Sequence, residues 1–431
     1  MNVLFVHNNF PAQFKHVARA LVRDPGNAVA AVATRTARGI PGVRLLKYGV
    51  ADMDTSATHP FARRFDLECR RAEEVLYALT SLQTSGFVPD VIVAHPGWGE
   101  TLPLRAMFPA ARIVAYCEFY YAATNRDVGF DPEFPAPGLD GQVGLHLKNA
   151  ATLLALADCD IGLSPTEWQR STYPAQFHDK IRVVHEGVDT DEIRPDRSAR
   201  FRLPSGRHLG QGDEVVTFVS RNLEPLRGFH VFMRALPAIL AARPAAEVVI
   251  IGGDDPGYGV RAPEGKTWKQ TMLEEVGRAV DRRRVHFVGR VPYRSFVAAL
   301  QVSSAHVYWT YPFVLSWSLL EAMSAGGLVI ASDTEPVREL IDGRNGRLVP
   351  FFDAEQLAAA VIEALAHPER FEAMRAEARR HVVELYDSER ICVPRTLALL
   401  AGEAGETAGA HGAARPSRAR SRRVTFAESA D

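Results

Sequence analysis

The chain is written as short apolar runs separated by amphipathic stretches, and the pattern occurs twice. "NVLFV" precedes "AQFKHVARALVRD", "DVIVAH" precedes "ETLPLRAMF", and "RIVAY", "CDIGL" and "IRVV" follow. A strand that is apolar at every position has no face for water and must be covered on both sides. Between helical patterns, such strands belong to a parallel, doubly wound sheet. The rhythm lapses from Thr190 to Glu214, where charge, Gly and Pro accumulate. It resumes with "EVVTFVS", "AEVVIIGG", "RVHFVG", "AHVYW" and "GLVIAS". At 431 residues the chain exceeds what one core usually organises. The expectation is an α/β protein of two Rossmann-like domains, 1–189 and 215–400, joined by a linker at 190–214. The Gly/Ala/Arg-rich stretch 401–431 is expected to be disordered.

Composition narrows the partners. A net charge of −1 gives no electrostatic reason to expect nucleic acid. Cys69, Cys117, Cys159 and Cys392 are scattered without ligand spacing, which reads as single buried thiols in a reducing compartment. "MNVLFVHNNF" lacks a basic flank and turns polar early, as a first strand does and a signal peptide does not. No segment reaches the roughly 18 to 20 apolar residues of a membrane span. A soluble, cytoplasmic protein is expected, with the arginines between Arg415 and Arg423 offering at most a peripheral contact with a membrane face.

In open parallel sheets, ligands sit beyond the carboxyl ends of the strands. After the first strand comes His7-Asn8-Asn9-Phe10-Pro11, which is not the G-x-G-x-x-G of a nicotinamide or flavin site. After the first strand of the second half comes "SRNLEPLRGFHVFMRAL", where Arg221 and Arg227 flank a turn and Gly228 opens a helix. Two guanidinium groups beside a helix start make a cradle for a diphosphate. In the run "YPFVLSWSLLEAMSAGGLVIAS", Glu321 is the one charge, and a buried carboxylate needs a partner.

From about Lys180 to Glu363 the order of motifs resembles the GT-B glycosyltransferases, in particular the retaining, sugar-nucleotide-dependent family 4. "KIRVVHEGVDTDEIRP", "SRNLEPLRG", "VIIGGDD", "VHFVGRVPYRSFVAAL", "LLEAMSAGGLVIAS" and "VRELIDGRNGRLVPFFDAEQLAAAV" are similar, in sequence, to that family's succession of motifs. The resemblance implies two Rossmann-like domains facing across a cleft, with a nucleotide-diphosphate sugar in the carboxyl-terminal one and the acceptor presented by the other. It implies that Glu321 holds the ribose hydroxyls and that Arg221 and Arg227 hold the diphosphate. Gly228, Arg290, Ser316 and Asn8 are placed with the donor contacts. Arg227 stands one residue later than the family's usual lysine.

Two departures matter. The family's second glutamate, which addresses the donor sugar, is Phe313 here, followed by Val314-Leu315-Ser316. Backbone N–H groups in that stretch are expected to remain available to phosphate. In the amino-terminal half, where a histidine often stands beside the scissile bond, "ARIVAYCEF" delivers Glu118. A carboxylate among aromatics is expected to have a raised pKa and to accept from a sugar hydroxyl. The acceptor is assigned to His95 and Trp98 of "VIVAHPGWGE" and to Tyr120 and Asn125 of the aromatic loop "FYYAATNRDVGFDPEFPAP". A capping role for His95 and core packing for Tyr120 and Tyr121 are the structural alternatives.

No cofactor beyond the nucleotide sugar is expected, and no metal. Asp158-Cys159-Asp160 and Asp189-Thr190-Asp191 spell D-x-D but sit where local capping accounts for them, and His185 and His230 lack ligand-spaced partners. The competing readings are a sugar-nucleotide epimerase of the same fold and an inactive sugar-nucleotide-binding protein.

Overall fold

The computed structural model describes residues 1–51 and 54–403. The expected disordered tail, beyond its first residues, lies outside them. In the amino-terminal half, β1 (Asn2–Val6), β2 (Ala28–Thr34), β3 (Arg44–Tyr48), β4 (Val91–Ala94), β5 (Arg112–Tyr116), β6 (Ile161–Ser164) and β7 (Ile181–Val183) form one sheet. Its order is β3-β2-β1-β4-β5-β6-β7, every pair parallel. The order reverses direction at β1, so the loops after β1 and β4 open a crevice at the switch point. The runs "VLFV" and "VIVA" are buried at every position, as the absence of a polar face requires.

The second half follows the same plan. A short hairpin, β8 (Phe201–Arg202) with β9 (His208–Leu209), precedes β10 (Val215–Asn222), β11 (Glu247–Gly253), β12 (Val285–Gly289), β13 (Ala305–Tyr308), β14 (Val329–Ser332) and β15 (Arg347–Val349). The sheet order is β12-β11-β10-β13-β14-β15, again all parallel. The two halves are the two Rossmann-like domains of a GT-B fold.

Two stretches depart from the expected boundaries. The segment read as a linker is packed: Ala199, Phe201, Leu203 and Leu209 join Val215, Val249 and Ile251 in one buried cluster. Its few apolar residues were masked in the sequence by the surrounding charge. The last helix, Val393–Ala401, was placed with the carboxyl-terminal domain. Instead it crosses back, and Leu399 and Leu400 are buried among Val3, Phe5, Val17 and Leu21 of the amino-terminal sheet and its first helix.

The aromatic loop after β5 also crosses between the halves. Phe119 and Trp168 share a buried cluster with Phe218, Phe229 and Phe313, and Phe130 packs on Tyr311, Phe351 and Phe352. Polar contacts seal the same seam. Glu339 accepts the backbone N–H groups of Glu167 and Trp168 at 2.8 and 2.7 Å, and Glu335 accepts the indole N–H of Trp168.

Candidate active site

Between the halves runs a cleft of about 850 Å³, lined from one side by the loops after β1, β4 and β5 and from the other by the loops after β10 and β13. A neighbouring cavity of about 430 Å³ shares Gln13, Glu186, Arg221 and Ser316 with it and is closed by Tyr293, Trp317 and Glu321.

Glu321 sits in the first turn of the helix Ser318–Ser324, all of whose residues are buried. The Tyr293 hydroxyl donates to its carboxylate at 2.8 Å. Burial pushes its pKa up to about 7, against the Tyr293 hydrogen bond and the Lys15 charge, which lower it. One phenol thus stands in for fuller satisfaction, and the carboxylate faces a cavity able to bring more donors.

Arg221 and Arg227 both line the main cleft. Arg221 donates to the Tyr258 hydroxyl at 2.9 Å. Arg227 donates to Thr310 Oγ1 at 3.0 Å and to the Val314 carbonyl at 2.8 Å, which fixes the loop after β13 beside the turn that carries Arg221 and Arg227. Gly228 takes φ 65°, and a Cβ there would come within 2.2 Å of the Trp309 ring. Only glycine lets the helix Phe229–Ala242 start this close to β13. Ser316 lines the cleft, but its N–H is already given to the Tyr308 hydroxyl at 2.7 Å, so it is not an open phosphate donor as expected.

Phe313 is 5% exposed and packs edge-on against Phe119 at 4.9 Å, with the Arg227 guanidinium 5.4 Å from its ring centre. The position that carries a sugar-binding glutamate in the resembled family is here part of the seam between domains.

The polar counterpart comes from the amino-terminal side. Glu118 accepts from Gln13 Nε2 at 2.7 Å and pairs with His95 Nε2 at 3.2 Å. His95 Nδ1 accepts the Gly97 N–H, which leaves its proton on Nε2, aimed at the carboxylate. His95 therefore does cap the turn Pro96–Trp98 and also holds Glu118. The expected upward pKa shift of Glu118 is reversed. Burial acts upward, but the His95 and Gln13 hydrogen bonds and the neighbouring His7 outweigh it and hold the group below the ordinary glutamate value. Sequence shows a carboxylate among aromatics, whereas the fold surrounds it with donors.

His7 and Gln13 were missed as site residues, although both lie in the loop region after β1 that the switch-point rule singles out. Burial pushes His7 down to about 3, helped by the adjacent His95. Its Nδ1 accepts the Asn9 N–H, and its Nε2 is buried with no hydrogen-bond partner among the described residues. Asn8 lines the cleft, with its Oδ1 likewise unpartnered. Glu186, between the two cavities, is raised to about 7 by burial.

Trp98 lines the cleft, but three predicted residues stand elsewhere. Tyr120 packs on Tyr173 against the amino-terminal core, and Asn125 is exposed at φ 57°. Arg290 is bound to Asp255 and to Asn222 Oδ1, behind the Arg221 turn. His230 does have a partner: Asp131 from the aromatic loop, at 3.0 Å. The D-x-D pairs take local roles, Asp160 accepting from Ile113 N–H and Arg105, and Asp189 accepting the Asp191 and Glu192 N–H groups. Among the thiols, Cys69 is exposed where burial was expected.

Residues 25–193 match the "Glycosyl transferase family 4 group", and residues 213–367 match "Glycosyl transferases group 1". A phosphatidyl-myo-inositol mannosyltransferase of Mycolicibacterium smegmatis is 35% identical over 64% of this chain and 73% of its own length. A GDP-mannose-dependent alpha-(1-6)-phosphatidylinositol monomannoside mannosyltransferase of the same organism is 27% identical over 67% and 71%. Sucrose-phosphate synthase from Thermosynechococcus elongatus superposes with a TM-score of 0.68 at 17% identity, covering 93% of this chain and 98% of that one. Anabaena HepE, solved with UDP-glucose, gives 0.64 at 16% identity, covering 93% and 100%. A match to each half, together with a relative 35% identical over most of its length, places the chain in the family 4, group 1 glycosyltransferases, enzymes that move a sugar from a nucleotide-sugar donor.

Proposed function

We propose that the chain transfers a hexose from a nucleoside-diphosphate donor to a hydroxyl-bearing acceptor with retention of configuration, and that it needs no metal. The observation that carries this reading is the convergence on one cleft of Arg221 and Arg227 from one domain and the Glu118–His95 pair from the other. Glu321, in the adjoining cavity, accepts the ribose hydroxyls; the base lies beside Tyr293. The diphosphate sits between the two arginines.

In the reaction the bond between the anomeric carbon and the diphosphate oxygen breaks, and its electron pair leaves with the diphosphate. The acceptor oxygen bonds to the anomeric carbon, and its proton passes to the departing phosphate. Arg221 and Arg227 lower the barrier by stabilising the charge that grows on the leaving group. Two cations here offset that charge without a bound ion, which supports metal independence. Glu118, ionised at neutral pH, is a weak base but a strong acceptor, so it holds a sugar hydroxyl rather than carrying the proton. It supplies the sugar contact that Phe313 cannot. Retention follows the family resemblance.

The relatives' names make GDP-mannose the first donor to try, with UDP-glucose beside it. Release of GDP or UDP should depend on acceptor and proceed in excess EDTA. Nucleotide binding without turnover on any acceptor, or turnover that EDTA abolishes, would overturn the proposal.

A further inference from the structure

Among the described residues, Arg64, Lys148, Arg221 and Arg227 line the main cleft, and of these Arg221 and Arg227 stand on the carboxyl-terminal domain. The other two, Arg64 and Lys148, come from the amino-terminal side. Arg64 stands in the first turn of the long helix Arg63–Thr84; its Nε donates to Glu68 at 2.6 Å and its Nη2 to the Gly97 carbonyl at 2.7 Å. Those two bonds fix the guanidinium, and Nη1 makes no hydrogen bond among the described residues. Lys148 follows the helix Leu139–Leu147, its ammonium 3.5 Å from the centre of the Tyr121 ring. No carboxylate among the described residues lies within ion-pair distance of it.

A largely buried ammonium set against an aromatic face, within the field of a second cation, is expensive to keep charged. Burial, followed by the Arg64 charge, pulls it down to about 8, with Asp127 and Glu68 opposing only at longer range. The fold retains this unmatched cation at the wall of a ligand cleft, and a ligand anion would match it.

We infer that Arg64 and Lys148 form a second anion subsite, in the acceptor half of the cleft, that takes a phosphate ester carried by the acceptor. Two cationic donors approaching from two helices suit the several oxygens of a phosphate better than the two coplanar oxygens of a carboxylate. The subsite is separate from the diphosphate cradle, so donor and acceptor phosphates occupy the cleft together. This rests on the reading of the cleft as a donor–acceptor cleft.

The test uses the full chain with its nucleotide site filled by GDP or UDP. Under that condition glycerol 3-phosphate should still bind by calorimetry, and Lys148→Met should weaken it tenfold or more. Lys148→Arg should restore most of the loss, and neither variant should change nucleotide affinity. A second arm compares sedimentation with phosphatidylinositol-containing and phosphatidylcholine-only vesicles. Lys148-dependent capture by the former identifies a lipid headgroup, while binding of the soluble ester alone identifies a soluble phosphorylated acceptor; either supports the subsite. Displacement of glycerol 3-phosphate by the nucleotide, affinity unchanged in Lys148→Met, or tighter binding of glucuronate would overturn it. Arg221→Ala is the separate control. If nucleotide affinity survives that change, the donor-site reading fails on its own account.

Discussion

One carboxylate of the amino-terminal half, Asp131, accepts from two groups of the other half: His230 Nε2 at 3.0 Å and the Tyr311 hydroxyl at 2.6 Å. All three are buried. Beside them Glu133 receives a two-pronged contact from Arg234, both bonds 2.7 Å, and Arg234 also holds Glu275. The aromatic loop, expected to bind acceptor, is therefore a strap that fastens one domain to the other.

Asp131→Asn should lower stability by about 1.5–3 kcal/mol at pH 7, since a buried charge-assisted acceptor is replaced by a neutral one. Burial raises the Asp131 pKa, but the His230 and Tyr311 hydrogen bonds outweigh it, so the folded value lies below the ordinary 3.8. A depressed acid stabilises the fold above its unfolded pKa and loses that contribution as pH falls through its folded one. The Tm gap between wild type and Asp131→Asn should be constant from pH 7 to about 5 and narrow below about 4. A gap that persists undiminished at pH 2–3 would contradict the assignment.

Glu321→Gln should weaken nucleotide diphosphate binding by about 1.5–3 kcal/mol, because one amide oxygen replaces a charged pair of acceptors. The same change should raise Tm. With its folded pKa raised to about 7, the wild-type group is protonated in the fold and ionised in the unfolded chain between pH 4.5 and 7. Stability is therefore lost as pH rises through that window, and glutamine escapes the loss. The variant's advantage should be near zero at pH 4 and a few degrees at pH 8. Equal nucleotide affinities by calorimetry would sink the ribose role.

Glu118→Gln should cut turnover roughly a hundredfold while nucleotide affinity stays within about twofold. The pair with His95 and the Gln13 contact are partly exposed to the cleft, so Tm should move little. Normal turnover per folded molecule, together with a clear drop in Tm, would reduce Glu118 to a structural residue.

Arg227→Lys keeps the charge but gives up the planar guanidinium whose Nη1 donates to both Thr310 Oγ1 and the Val314 carbonyl. The expected result is turnover reduced about tenfold or more, with a smaller change in donor KM, if the guanidinium's value lies in the transition state. A KM effect with unchanged kcat would confine Arg227 to ground-state binding.

Much of this protein was legible in one dimension. Strands such as "VLFV" and "VIVA" cannot be placed anywhere but inside a covered parallel sheet, so the two-sheet plan followed from local pattern. The placement of Arg221, Arg227 and Glu321 at the cleft and its adjoining cavity was legible for the same reason. Arg221 stands at the end of β10, Arg227 closes the turn that follows it, and Glu321 stands in the first turn of the helix after β13; motif order preserves such local placements.

The tertiary structure decided whatever depends on neighbours remote in sequence. The charge state of Glu118 is set by Gln13, 105 residues away, and by His95. The aromatic loop reads as a sugar-binding surface, but Asp131 meets its partners 99 and 180 residues on, which turns the loop into a strap. Phe313 looks like a lost sugar contact until Phe119 is found packed against it across the domain boundary. In each case the local sequence specifies which group is present. The electrostatic and packing energies that set its role fall off within a few ångströms, so they depend on which distant segments the fold brings that close.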